Sequence, residues 1–118
     1  MPKTREARSE INWPETIARC FEEERVVYSR HARMEMRHEE FGAIRDQEVY
    51  EATQTCEVVE TYPEDQPYPS VLVIGMSANQ RPVHVVCAYD NEEDCIIVIT
   101  VYQPDPGRWD QAFRRRRE

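Results

Sequence analysis

Two stretches of this sequence hold residue types able to move protons. The first is "YSRHARMEMRHEE", Tyr28 to Glu40, where His31 and His38 sit among arginines and glutamates. The second is a pair of apolar segments, "RPVHVVCAY" with His84 and "IIVITVYQ" with Thr100 and Tyr102. Histidine, titrating at about pH 6.5, is the ordinary proton carrier near neutrality, and tyrosine adds a donor and a stacking ring. Strand alternation places His84, Val86 and Ala88 on one face, opposite Val83, Val85, Cys87 and Tyr89. The same rule groups Val98, Thr100 and Tyr102 opposite Ile97, Ile99 and Val101. Paired in suitable register, the two strands line their less apolar face with His84, Thr100 and Tyr102, where an imidazole and two hydroxyls can meet one ligand. The same residues are also ordinary occupants of a sheet surface.

Metal chemistry fits poorly. His31 and His38 are seven residues apart, about 10 Å along a helix rising about 1.5 Å per residue, too far to share one ion. His31 with Glu35, or Glu35 with His38, supplies only two ligands, and such pairs are more simply surface ion pairs. Cys20, Cys56, Cys87 and Cys95 show no C-x-x-C spacing and read as reduced, packed thiols. Without a Gly-rich phosphate loop, a G-x-S-x-G or an H-E-x-x-H, neither a metal nor a cofactor is expected.

The elements that position these residues follow from periodicity. Trp13, Ile17 and Phe21 recur at helical spacing after a first-turn Pro14, which predicts a helix over about 14–24. "RVVYS" reads as a short strand, and Ser29 as the cap of a helix that carries the first histidines and ends near Phe41 and Gly42. On it Arg30, Met34, Arg37 and Phe41 share one side, and Ala32 and Met36 another. Asp46 is the expected N-cap of a third helix with Val49, Ala52 and Thr53 inward. Four extended segments follow, "CEVVETY", "SVLVIGM", "RPVHVVCAY" and "CIIVITVYQ", joined by short turn-rich breaks that favour antiparallel pairing. The expected fold is α+β: two or three N-terminal helices packed on a four-stranded antiparallel meander, with Ile17, Phe21, Met36, Val49, Ile97, Ile99 and Val101 in the core. Trp109 and Phe113, four apart, can fold the tail back onto the sheet.

The chain has 118 residues, enough for one core. The expected organisation is a flexible lead-in over 1–12, a single domain over 13–113 and a basic disordered tail over 114–118. No apolar run approaches the roughly 20 residues of a membrane span, and the polar N-terminus has no apolar segment of a secretory signal. A cytoplasmic protein with no membrane partner is expected. A net charge of −8 opposes general polyanion binding, although Arg25, Arg30, Arg33, Arg37 and the closing "FRRRRE" leave room for a local basic surface.

"SRHARMEM", "EVVETYPEDQPYPSVLVIG", "RPVHVVCAY" and "IIVITVYQPDPGRW" together resemble the small bacterial domains catalogued as domain of unknown function 4258, over about Val26 to Trp109. That resemblance implies a helix-then-sheet layout like that of RelE-like ribonuclease toxins, and a zinc-finger antitoxin of the MqsA type as partner. It implies a metal-independent endoribonuclease acting on RNA, in which the RNA's own 2′-hydroxyl attacks the adjacent phosphate. His31 and His84 would then be the proton carriers, Tyr102 a stacking or donor group beside Thr100, and Arg33 or Arg37 the phosphate clamp. The alternative is a non-catalytic module binding a protein or ligand on the same face.

Overall fold

In the computed structural model, which describes residues 11–116, three helices cover one face of a five-stranded mixed sheet. The chain runs α1 (Trp13–Glu22), β1 (Val26–Tyr28), α2 (Arg30–Arg37), α3 (Asp46–Gln54), β2 (Glu57–Tyr62), β3 (Ser70–Met76), β4 (Pro82–Asp90) and β5 (Cys95–Tyr102). Sheet order is β1-β5-β4-β3-β2. The expected meander of β2 to β5 is present, but the sheet is not four-stranded or wholly antiparallel. Short β1 joins it alongside β5 in parallel, Val27 opposite Ile97. Three residues carry too little pattern to set a pairing direction from sequence.

The first two helices start where a capping side chain accepts from a free N–H group. Asn12 accepts from the Glu15 amide at 3.3 Å to open α1. The Ser29 hydroxyl does two jobs at the start of α2: it accepts from the Ala32 amide at 3.0 Å and donates to the Ile99 carbonyl at 3.0 Å, pinning the helix to β5. That helix stops at Arg37, short of the expected Gly42, with His38 as its C-cap. Asp46 is the first residue of α3 and not its cap; Arg45 holds the cap position, its amide donating to Glu48 Oε1 at 3.0 Å.

The helices and the sheet share a core of Trp13, Ile17, Phe21, Met36, Val49, Val73, Val85 and Val98, among others. Ile11 packs on its edge, so the folded unit begins just before the expected boundary; residues 1–10 of the expected lead-in lie outside the described residues. Two of the expected core residues are displaced. The register of β5 against β4 moves from Val86↔Thr100 to Cys87↔Val98, which leaves Ile99 as the extra residue of a β-bulge. The bulge reverses the alternation, so Ile96, Val98 and Val101 are buried on the helix side while Ile97 and Ile99 are only partly covered.

Below the end of β1 the outer edge of β5 has no strand partner. Glu35 fills the gap, its Oε1 accepting from the Val101 amide at 3.0 Å. Cys20, Cys56, Cys87 and Cys95 are free thiols, and burial raises the thiol pKa of Cys56 to about 11. Among the described residues no helix is long and apolar enough to cross a membrane.

Candidate functional site

The sheet face turned away from the helices carries the side chains singled out from the sequence. His84 is paired across β4 and β5 with Tyr102, and across β3 with Ile74, so its ring points to that face between two neighbours. Thr100 lies one step along, opposite Val86. His84, Thr100 and Tyr102 therefore share a face, and His84 and Tyr102 touch: His84 Nδ1 is 2.9 Å from the Tyr102 hydroxyl, with the rings edge to face at 5.1 Å between centroids.

This face is not open. After Tyr102 the chain turns back, and residues 104–116 form a strap that covers His84 and reaches β2. Trp109, buried, stands edge-on to His84 with centroids 4.4 Å apart. The Phe113 carbonyl accepts from His84 Nε2 at 2.7 Å. His84 is 0 % exposed. Within the strap, Asp110 Oδ1 accepts from the amides of Ala112 and Arg114 at 3.1 and 3.0 Å, which closes its turn. Arg114 donates to Glu57 Oε1 at 2.5 Å and to the Val58 carbonyl at 2.9 Å, and the Arg116 guanidinium lies 5.0 Å from the Trp109 ring centre. Arg114 and Arg116 thus hold defined contacts where the sequence suggested a disordered basic tail; Arg117 and Glu118 lie outside the described residues.

These contacts set the protonation of His84. A carbonyl oxygen can only accept, so Nε2 carries the hydrogen. In a neutral ring Nδ1 is then an acceptor, and the Tyr102 hydroxyl donates to it. Burial lowers the His84 pKa, the Phe113 hydrogen bond works the other way, and the smaller effect of the Arg116 charge lowers it. Burial raises the Tyr102 pKa. A neutral imidazole with both nitrogens engaged is a fixed hydrogen-bonding device, with neither a vacant lone pair nor a spare proton facing solvent.

The other sequence candidates sit on α2, which packs through Ala32 and Met36 into the helix-side core. His31 is 65 % exposed, its Nε2 3.3 Å from Glu35 Oε1, and Glu35 is the carboxylate that closes the β5 edge. Arg33 pairs with Asp46 at 2.5 Å and lies 3.9 Å above the Tyr28 ring. Arg37 is exposed in the last turn of α2 and has no ion pair among the described residues. The fold brings His84, Tyr102 and Thr100 together and leaves His31, Arg33 and Arg37 on another layer. No group of three or more His, Cys, Asp or Glu among the described residues is placed to hold a metal ion.

The spacing of Trp109 and Phe113 signalled a tail that folds back, but that the Phe113 carbonyl would complete His84 was not readable, because a backbone group leaves no mark in a sequence. Arg81 was missed altogether. It donates to Gln103 Oε1 at 2.6 Å, to the Ala43 carbonyl at 3.0 Å and to the Gly42 carbonyl, and pairs with buried Glu48 at 3.3 Å, so it fixes the residue from which the strap departs.

Since the folded pKa of His84 lies below the unfolded value of about 6.5, stability is fully present above that pH and declines as pH falls from it toward the folded pKa. Urea midpoints between pH 7.5 and 5.5 should show this decline in the parent and a flatter profile in His84→Gln. A parental slope in His84→Gln would contradict the burial of a neutral ring.

The family model described as Domain of unknown function (DUF4258) matches residues 28–103, which include His31, His84, Thr100 and Tyr102 and exclude the strap. Searches of curated proteins and of solved structures gave no match. With about two thirds of its length inside that model, from Tyr28 at the end of β1 to Gln103 just after β5, the chain belongs to the DUF4258 family of domains of unknown function.

Proposed function

We propose that this domain is a non-catalytic binding module that takes a short protein segment on the sheet face opposite its helices. One observation carries the reading: the His84 ring, neutral and buried, presents its N–H to a main-chain carbonyl with an aromatic side chain packed against it. That is how a groove recognises a peptide, by a backbone hydrogen bond beside an aromatic pocket. A net charge of −8 suits a basic peptide better than a nucleic acid, and four free thiols suit the reducing cytoplasm.

A second reading, the metal-independent endoribonuclease toxin with an MqsA-type antitoxin, is favoured by the 2.9 Å donor–acceptor pair of Tyr102 and His84 beside Thr100. In it the RNA 2′-hydroxyl would be deprotonated on this face, and Arg33 or Arg37 would have to reach the phosphate from another layer. Incubating RNA with the purified protein in excess chelator separates the two. The binding module leaves RNA intact, in the parent and in His84→Ala alike. Cleavage that resists chelator, leaves 2′,3′-cyclic phosphate ends and drops by about 10²-fold in His84→Ala and Tyr102→Phe would overturn the binding reading in favour of the enzyme.

A further inference from the structure

The occupant of the groove in this structure is the chain's own strap, and its chemistry defines what the groove accepts. Trp109 fills the position edge-on to His84, the carbonyl of Phe113 four residues later takes the imidazole N–H, and the next residue, Arg114, reaches Glu57 and the Val58 carbonyl on β2. Beneath lie Leu72, Ile74 and Ala88, buried side chains outside the helix-side core. Leu72 and Ile74 stand on β3 beside Glu60 and Glu57 of β2. An aromatic residue, a carbonyl and a following cation thus meet an apolar floor with acidic residues along one side.

Three observations make this occupancy one that can exchange. The family model's match includes His84 and Tyr102 and ends at Gln103, just before the strap. Phe113 is held at φ 58, in the left-handed region that a bulky side chain rarely adopts. Arg114 and Arg116 are exposed, so their contacts are made in water and contribute little each.

Building on the reading of the groove as a peptide site, we infer that residues 104–116 are a built-in competitor for it, and that the ligand in trans is a basic protein segment with an aromatic residue four positions before its carbonyl contact. While the strap is seated, a segment arriving from outside meets a filled groove, and its apparent affinity is reduced by the fraction of chains with the strap released. The groove recognises the trans segment with the same three groups: the His84 N–H, the apolar floor and Glu57.

The probe is a labelled synthetic peptide of residues 104–116, titrated into the full-length chain by fluorescence anisotropy. Trp109→Ala in the full-length chain removes the strap's anchor and leaves the groove intact, and it should bind the peptide at least tenfold more tightly than the parent. Adding His84→Ala to it should abolish that gain. Since Trp109→Ala also uncovers apolar surface, a second full-length variant, Arg114→Ser with Arg116→Ser, loosens the strap and keeps Trp109; it should show a gain of the same sign. Equal binding by parent and both variants would overturn the competitor and leave the peptide groove standing. No binding by variants with parental far-UV spectra would overturn the groove reading and the competitor with it. Binding of a short RNA in place of the peptide by the released variants would overturn the assignment of a protein partner.

Discussion

A chain carrying Gly75→Ala should fail to fold to the native state at room temperature, or retain it only in stabilising co-solvent. Gly75 lies in β3 directly beneath α3, and a Cβ added there would overlap the backbone carbonyl of Ala52. The neighbour is main chain in the last turn of a helix, not the end of a flexible side chain, so relief requires α3 to lift from the sheet. Lifting it withdraws Val49 and Ala52 from the core they share with Val73 and Val85. Overpacking usually costs about 1–3 kcal/mol; parting two packed layers adds lost burial, and about 4 kcal/mol or more is expected, which approaches the low end of the roughly 5–15 kcal/mol that holds a domain folded. Far-UV spectra and a urea midpoint check it. A midpoint within error of the parent would mean that α3 sits further from β3 than described.

Arg81→Ala has the next largest effect. The Arg81 side chain is 13 % exposed and that of Glu48 is 7 % exposed, so the pair is largely out of water. Removing the guanidinium leaves the Glu48 carboxylate buried with the Arg45 amide as its remaining hydrogen-bond partner, and strips the Gly42 and Ala43 carbonyls and Gln103 of their donor. Breaking one side of a buried pair costs about 3–5 kcal/mol, which at about 4 °C per kcal/mol for a domain of this size lowers Tm by roughly 12–20 °C. Arg81→Ala with Glu48→Gln should recover part of the loss, since it removes the stranded charge. A loss unchanged in the double variant would show that the carbonyl contacts, not the ion pair, carry the effect.

Much of the layer order was legible from apolar stripes and their start signals: Pro14 with Trp13, Ile17 and Phe21, and the cap Ser29 before Ala32 and Met36. The order of β2 to β5 was legible from the short breaks between them, which leave room for hairpins and little else. Two failures share one cause, since a bulge is a property of two strands together. Nothing in "CIIVITVYQ" marks Ile99 as the extra residue, so Ile97 and Ile99 were placed inward by a strict period of two, whereas pairing with β4 puts Ile96 and Val98 there. The parallel partnership of β1 is likewise a long-range event, hidden in three residues. At the site, alternation correctly joined His84 to Tyr102 because Thr100 and Tyr102 lie beyond the bulge on the face it restores. It could not show that the face is covered, since the cover is a segment of "PDPGRWDQAFRRRR" whose hold on His84 is a backbone carbonyl.

In the proposed binding module His84 is a neutral hydrogen-bonding device and not a proton carrier. The nitrogen-15 and carbon-bound proton shifts of its imidazole, followed by NMR from pH 8 to pH 5, report this state. The Nε2–H tautomer with an unprotonated Nδ1 is expected at pH 7, with the change to the charged form displaced below the ordinary imidazole value of about 6.5. A ring that is charged at pH 7, or that carries its proton on Nδ1, would contradict it.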